Sequence, residues 1–164
     1  MKPCSHAQYG LTLIELLIAL AIAALLAAPL GAAVRNALSA QTVASDTNDL
    51  AQQARFALQR MEAQVRRTAP HTLAAEVAGT SADLLAPTAF CLRGGTKLME
   101  TTSTDTACDF PSASVIAVGV SAFSVFDASA AGADQVIEIQ LTLTGATGQT
   151  IALTSRTRLG GGTL

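Results

Sequence analysis

From Leu16 to Val34 the chain reads "LLIALAIAALLAAPLGAAV" and carries no charged side chain. That is about 19 residues, the length a helix needs to span a bilayer core. Helices in soluble cores are seldom apolar on every face. Pro29, with Gly31 close behind, removes a backbone donor and crowds the preceding turn, so a bend or a melted turn is expected there. Downstream the pattern changes. Val43, Leu50, Ala54, Leu58, Met61 and Val65 recur at helical spacing, separated mostly by polar, charged or alanine positions. Such a stripe predicts an amphipathic helix with one face laid on a sheet. Arg66 and Arg67 suit a helix C-terminus by charge, and Pro70 disfavours helix at the residue before it, so the helix is expected to end near Ala69.

The last third has a period of two. In "IEIQLTL", Ile137, Ile139, Leu141 and Leu143 alternate with Glu138, Gln140 and Thr142, the pattern of a half-buried strand. Gly145 to Gly148 supplies a turn, and Thr150 to Leu159 returns with Ile151 and Leu153 inward, an antiparallel hairpin. Val115 to Val120 and Ala122 to Phe126 are further short apolar runs. The expected fold class is α+β, a long N-terminal helix packed on a C-terminal antiparallel sheet. Between helix and strands, His71 to Thr88 reads as a connector with weak strand potential at Asp83 to Leu85. The Thr-, Ser-, Gly-, Asp- and Pro-rich stretch from Gly94 to Ser114 reads as an exposed loop, and the terminal "LGGGTL" as a loose tail.

Composition narrows the function classes. With 164 residues and a net charge of −2, the chain fits one modest domain plus an anchor or targeting segment, and it lacks the basic footprint of a nucleic-acid binder. Trp is absent, and there is one Tyr with five Phe, so the core must come from Leu, Ile, Val and Ala. Of the three cysteines, Cys4 precedes the apolar run, while Cys91 and Cys108 follow it. If the run separates compartments, Cys4 stays in a reducing one and the other two reach a space where a disulfide persists. Ordinary buried thiols are the alternative. Lys2 and the initiator amine before the run, against Arg35 alone just after it, favour a cytoplasmic N-terminus.

Catalytic chemistry is not expected. Apart from His6, His71 is the only histidine, and no motif surrounds it. No Cys-x-x-Cys pair or phosphate-binding loop occurs, and no cofactor is implied. Asp127 and Asp134 bracket a small Ala/Ser/Gly loop and are weak calcium candidates, without EF-hand spacing. Small residues at Gly31-Ala32-Ala33 and Leu38-Ser39-Ala40 also permit an ordinary secretory signal, giving an exported or membrane-anchored binding domain. Against it, Glu15 sits where a signal peptide puts positive charge, and the apolar run exceeds the usual 7 to 15 residues or so.

Glu15 is the position that needs explaining, because an ionisable residue at a membrane run is by default a functional hypothesis. Gly10 followed by Leu11, Thr12, Leu13, Ile14 and Glu15, heading a membrane-length apolar helix, resembles the prepilin signal of type IV pilins and of the pseudopilins of type II secretion. Leu11 stands where Phe is commoner, and the leader has a single basic residue, Lys2, where several are usual. The resemblance implies cleavage between Gly10 and Leu11 by a prepilin peptidase and N-methylation of Leu11. It also implies insertion into the inner membrane as a single pass with a periplasmic C-terminal domain, and delivery through an inner-membrane assembly platform into a fibre of pilin subunits. In that family the mate of the carboxylate is the N-terminal amine of a neighbouring subunit, which gives Glu15 the role of a register pin for assembly. The implied organisation is a leader at 1–10, a membrane and assembly helix at 11–34, the amphipathic helix half at 35–69, and a β-rich domain with a disulfide loop at 70–164. The stretch "ARFALQRMEAQVRRTAP" is more loosely similar to minor pilins of the mannose-sensitive haemagglutinin type and to the larger minor pseudopilins.

Overall fold

In the computed structural model, residues 12–73, 75–105, 107–130 and 134–160 are described here, Ala28 by its backbone alone. The cut at Gly10 and Leu11 therefore lies outside the described residues. One helix, α1 (Leu13–Arg67), is followed by β1 (Thr88–Arg93), β2 (Lys97–Thr102), β3 (Ser114–Val118), β4 (Val120–Asp127), β5 (Val136–Thr144) and β6 (Thr150–Arg158). The strands form two three-stranded sheets, β1-β2-β3 and β4-β5-β6, with every pairing antiparallel. The chain divides into two compact units that meet between Thr42 and Val43.

In the first unit the helix is apolar all round and exposed all round. Leu16, Leu17, Ile18, Leu20, Leu25 and Leu26 are each more than half exposed. The expected melted turn at Pro29 is absent, and α1 continues through that position. Proline's loss of one donor leaves the neighbouring helical bonds able to carry the chain across. At Gly31 the carbonyl accepts a bond from the Arg35 guanidinium at 3.2 Å, which folds that side chain back along the helix.

In the second unit α1 buries a single stripe. Leu50, Ala54, Ala57, Leu58, Met61 and Val65 join one core cluster with the inner residues of both sheets. Val43, expected on this stripe, is instead exposed, because the buried face begins only at Leu50. Opposite the helix, Ile137, Ile139, Leu141 and Leu143 of β5 are almost wholly buried, as their alternation predicts. Residues 145–149 turn the chain so that β6 pairs with β5 from Val136↔Arg158 to Thr144↔Thr150. Gly145 is required at that turn: a Cβ there would collide with the Asp46 carboxylate and lie 2.7 Å from Leu50 Cδ1.

Three other expectations are corrected. Asp83 to Leu85 is not a strand but part of the turn at residues 82–87. Its two leucines drive into the core, which accounts for an apolar pair without strand periodicity. The stretch expected to be an exposed loop contains β2 and ends at β3. Gly94 and Gly95, both at positive φ, form the tight connection that pairs β1 with β2 from Thr88↔Thr102 to Arg93↔Lys97, a use of glycine that only its missing Cβ allows. The tail is tied down at its start: Leu159 N–H donates to Gln135 O at 3.0 Å and Gly160 N–H to Val65 O at 3.2 Å. The second bond gives a carbonyl of the last helical turn, which also accepts from Thr68 N–H at 3.2 Å, a further donor from the tail.

Candidate functional site

The N-terminus of α1 has its own local logic. Thr12 stands just before the first helical residue, and its carbonyl accepts from the N–H groups of Glu15 at 3.1 Å and Leu16 at 3.2 Å. Its hydroxyl is 3.4 Å from Glu15 N, a long capping contact. Thr12-Leu13-Ile14-Glu15 is thus a capping-box sequence, a signal legible in the chain but passed over in favour of Glu15 alone. Glu15 in the first turn also faces the positive end of the helix dipole. The dipole favours a carboxylate at this position with no other subunit present. Among the described residues, however, the Glu15 side chain has no hydrogen-bond or ion-pair partner. The dipole explains tolerance of a charge here, and none of the described residues uses its acceptor capacity.

Behind Glu15, α1 is long and apolar enough to cross a membrane, and none of its most apolar window is buried. Contiguous exposed apolar surface on this scale marks a membrane or protein contact.

In the second unit, Cys91 and Cys108 form a disulfide with Cα atoms 6.0 Å apart, inside the ordinary range. It packs with Met99, the cross-strand partner of Cys91, in a cluster of its own. Asp105 organises the loop it closes. This carboxylate, 4% exposed, accepts from Thr101 Oγ1 at 2.7 Å, Asp109 N at 3.1 Å and Phe110 N at 3.0 Å. Burial raises its pKa, but the bonds from Thr101, Phe110, Asp109 and Cys108 outweigh it and leave the group below the ordinary carboxylate value. Sequence reading missed Asp105, whose signal was its place among turn residues between the two cysteines.

Asp127 and Asp134 are both engaged within the chain. Asp127 accepts from the backbone N–H of Ser129 at 2.8 Å and from its hydroxyl, which lowers its pKa, and Asp134 pairs with Arg158. No group of three or more His, Cys, Asp or Glu able to hold a metal occurs among the described residues. His71 is held by its backbone: its N–H donates to Gln135 Oε1 at 3.1 Å, and Gln135 Nε2 donates to its carbonyl at 2.6 Å. Its ring Nδ1 lies 2.9 Å from Ala69 O, and Nε2 is buried without a partner among the described residues. No serine or carboxylate bonds to the ring in the described residues, so it has neither nucleophile nor orienting acid.

Residues 5–31 match the family described as the prokaryotic N-terminal methylation motif. The match spans the resemblance noted around Gly10, Leu11 and Glu15, and supports a prepilin of the type IV pilin or pseudopilin kind. It points to a structural subunit rather than an enzyme, and it implies processing by a prepilin peptidase and assembly with other pilin subunits. With the long apolar helix it fits a membrane-anchored chain. No curated protein and no solved structure matches the chain.

Proposed function

We propose that the chain is a minor subunit of a type IV pilus-like fibre, with a minor pseudopilin of type II secretion as the second reading. Prepilin peptidase cuts between Gly10 and Leu11 and methylates the new terminus. The segment from Leu11 to Val34 holds the subunit in the inner membrane with its C-terminal domain in the periplasm until an assembly platform extracts it. The disulfide between Cys91 and Cys108 suits that compartment, because such bonds persist where thiols are not kept reduced. The observation that carries the proposal is the conjunction of the methylation motif at residues 5–31 with a helix whose most apolar window is not buried by its own chain.

Glu15 then acts during assembly. In the processed subunit Glu15 follows the new Leu11 terminus by four residues in sequence, and both groups can reach water at the membrane surface. Packing among sister helices removes that water, and each charge needs a mate. The amine of one subunit and the Glu15 carboxylate of the next supply each other. A buried pair of this kind contributes little net stability, and its best-attested use is to fix registry. Glu15→Val tests the pairing. The variant is expected to insert in the membrane as wild type does and to fail in fibre incorporation; normal incorporation would remove the role assigned to Glu15.

A further inference from the structure

The strand edges of the second unit are not treated alike. β1 is bridged by the connector before it, with Ser81 N–H donating to Phe90 O and Leu92 N–H to Gly79 O, each at 2.7 Å. Gly79 N–H donates in turn to Phe123 O of β4 at 3.0 Å, and Val118 N–H of β3 donates to Gln53 Oε1 of α1 at 3.3 Å. β6 is the outer strand of its sheet. At its two ends Gly145 N–H donates to Gln149 O and Leu159 N–H to Gln135 O. In an antiparallel ladder, residues that exchange bonds alternate with residues that do not, so these two bonds and the register turn the backbone groups of Ile151, Leu153, Ser155 and Thr157 towards β5. Those of Thr150, Ala152, Thr154, Arg156 and Arg158 point away from the sheet, and among the described residues no group outside it bonds to them.

Edge strands are normally kept short, bulged, or blocked by proline or by charge pointing inward. β6 has none of these devices: it runs for nine residues without proline and holds register with β5 throughout. Its inward residues Ile151 and Leu153 pack on the core cluster but are only partly buried, so apolar side chains of an added strand would extend that core. Its outer side chains are charged at one end. Arg156 and Arg158, 70% and 66% exposed, each pair with one acid, Glu138 and Asp134, and keep donors to spare. No acid lies on β6, so a second copy of this edge would bring two more arginines and nothing to pair with them, and like charges placed together cost free energy. We infer that β6 takes up, by strand addition, an extended segment of a different protein, apolar on the side of Ile151 and Leu153 and acidic where it passes Arg156 and Arg158. Main-chain bonds supply the affinity of such a contact, and alternate side chains its specificity. The contact stands apart from the fibre reading and from Glu15.

The test is binding of synthetic peptides to the full chain in detergent micelles, with amide hydrogen exchange read residue by residue. The probe alternates valine with threonine along its first half and valine with glutamate along its second. It is expected to bind and to slow exchange at Thr150, Ala152, Thr154, Arg156 and Arg158, leaving unchanged the amides between them that already bond to β5. Thr154→Pro deletes one outward donor without touching the ladder and should weaken binding about tenfold, with circular dichroism showing the fold unchanged. Arg156→Gln with Arg158→Gln should weaken the glutamate peptide and leave a glutamine version of it unaffected. No binding, or binding without the alternating protection, would overturn the strand addition, as would a folded Thr154→Pro chain that binds as wild type does. Should that variant unfold, the exchange pattern and the arginine variants decide alone. A lysine version bound as tightly as the glutamate one would overturn the acidic partner. Protection of the same amides in the chain alone, growing with its concentration, would overturn the different protein in favour of a second copy.

Discussion

The two halves of α1 share one backbone and face opposite physical problems. From Val43 to Arg67 the helix finds its solvent-excluding surface inside its own unit: Ala54, Ala57, Met61 and Val65 are fully buried against the strands. Before Thr42 it has none, and leucines and isoleucines stand exposed on every side. Helices in proteins draw most of their stability from tertiary packing, so the first half must obtain it from lipid or from other helices. Alternation of apolar and polar positions marks a surface completed within the chain, and its loss marks one completed by something else.

Paired truncations should separate the halves most sharply. Met61→Ala removes a fully buried side chain and should cost about 2 to 5 kcal/mol of domain stability, read by thermal melting. Leu20→Ala, on the same helix but exposed, should leave that melting unchanged. Next in size is the disulfide. Cys91→Ser with Cys108→Ser opens a loop of sequence separation 17 and should cost about 3 kcal/mol on the chain-entropy account. An unchanged melting temperature would show the loop to be held by Asp105 and its bonds instead. Gly145→Val forces atoms into Asp46 and Leu50 and should cost about 1 to 3 kcal/mol as overpacking, again with no effect on membrane insertion.

A smaller effect separates the second unit from the first by pH. Hydrogen bonds from Thr147 to Asp46, the bonds around Asp105, those from Ser129 to Asp127, and those from Gln140 and Arg156 to Glu138 all hold these carboxyls below their ordinary values. A group whose folded pKa is depressed binds its proton more readily when unfolded. Its stabilisation is therefore complete above the ordinary values of 3.8 for Asp and 4.5 for Glu, and is lost as pH falls through the lower folded values. Melting of the domain should be level at neutral pH and fall in acid, and Asp105→Asn should flatten part of that fall.

What could be read from the chain follows the same division. The β5–β6 hairpin was legible because Ile137, Ile139, Leu141 and Leu143 leave no doubt about which face is inward. Glu138, placed on the outer face by alternation, is nevertheless almost wholly buried, because Gln140 and the cross-strand partner Arg156 close over it. The β1–β2 hairpin was missed. Lys97, Glu100, Thr101 and Thr102 look like loop residues, and the strand exists through its pairing to β1 and to β3, a non-local cause that no window along the sequence contains. At the site, Gly10, Leu11 and Glu15 were readable as a local motif. Thr12 as their cap was carried by the same stretch as a capping-box pattern, and the structure adds its backbone bonds to Glu15 and Leu16.

The most direct test is the intact mass of the mature chain recovered from membranes. A polypeptide that begins at Leu11, carries one N-terminal methyl group and retains the bond between Cys91 and Cys108 is predicted. A chain beginning at Met1, or at Val34 or Gln41 after conventional export, would contradict the claim that a processed amine and Glu15 meet between neighbouring subunits.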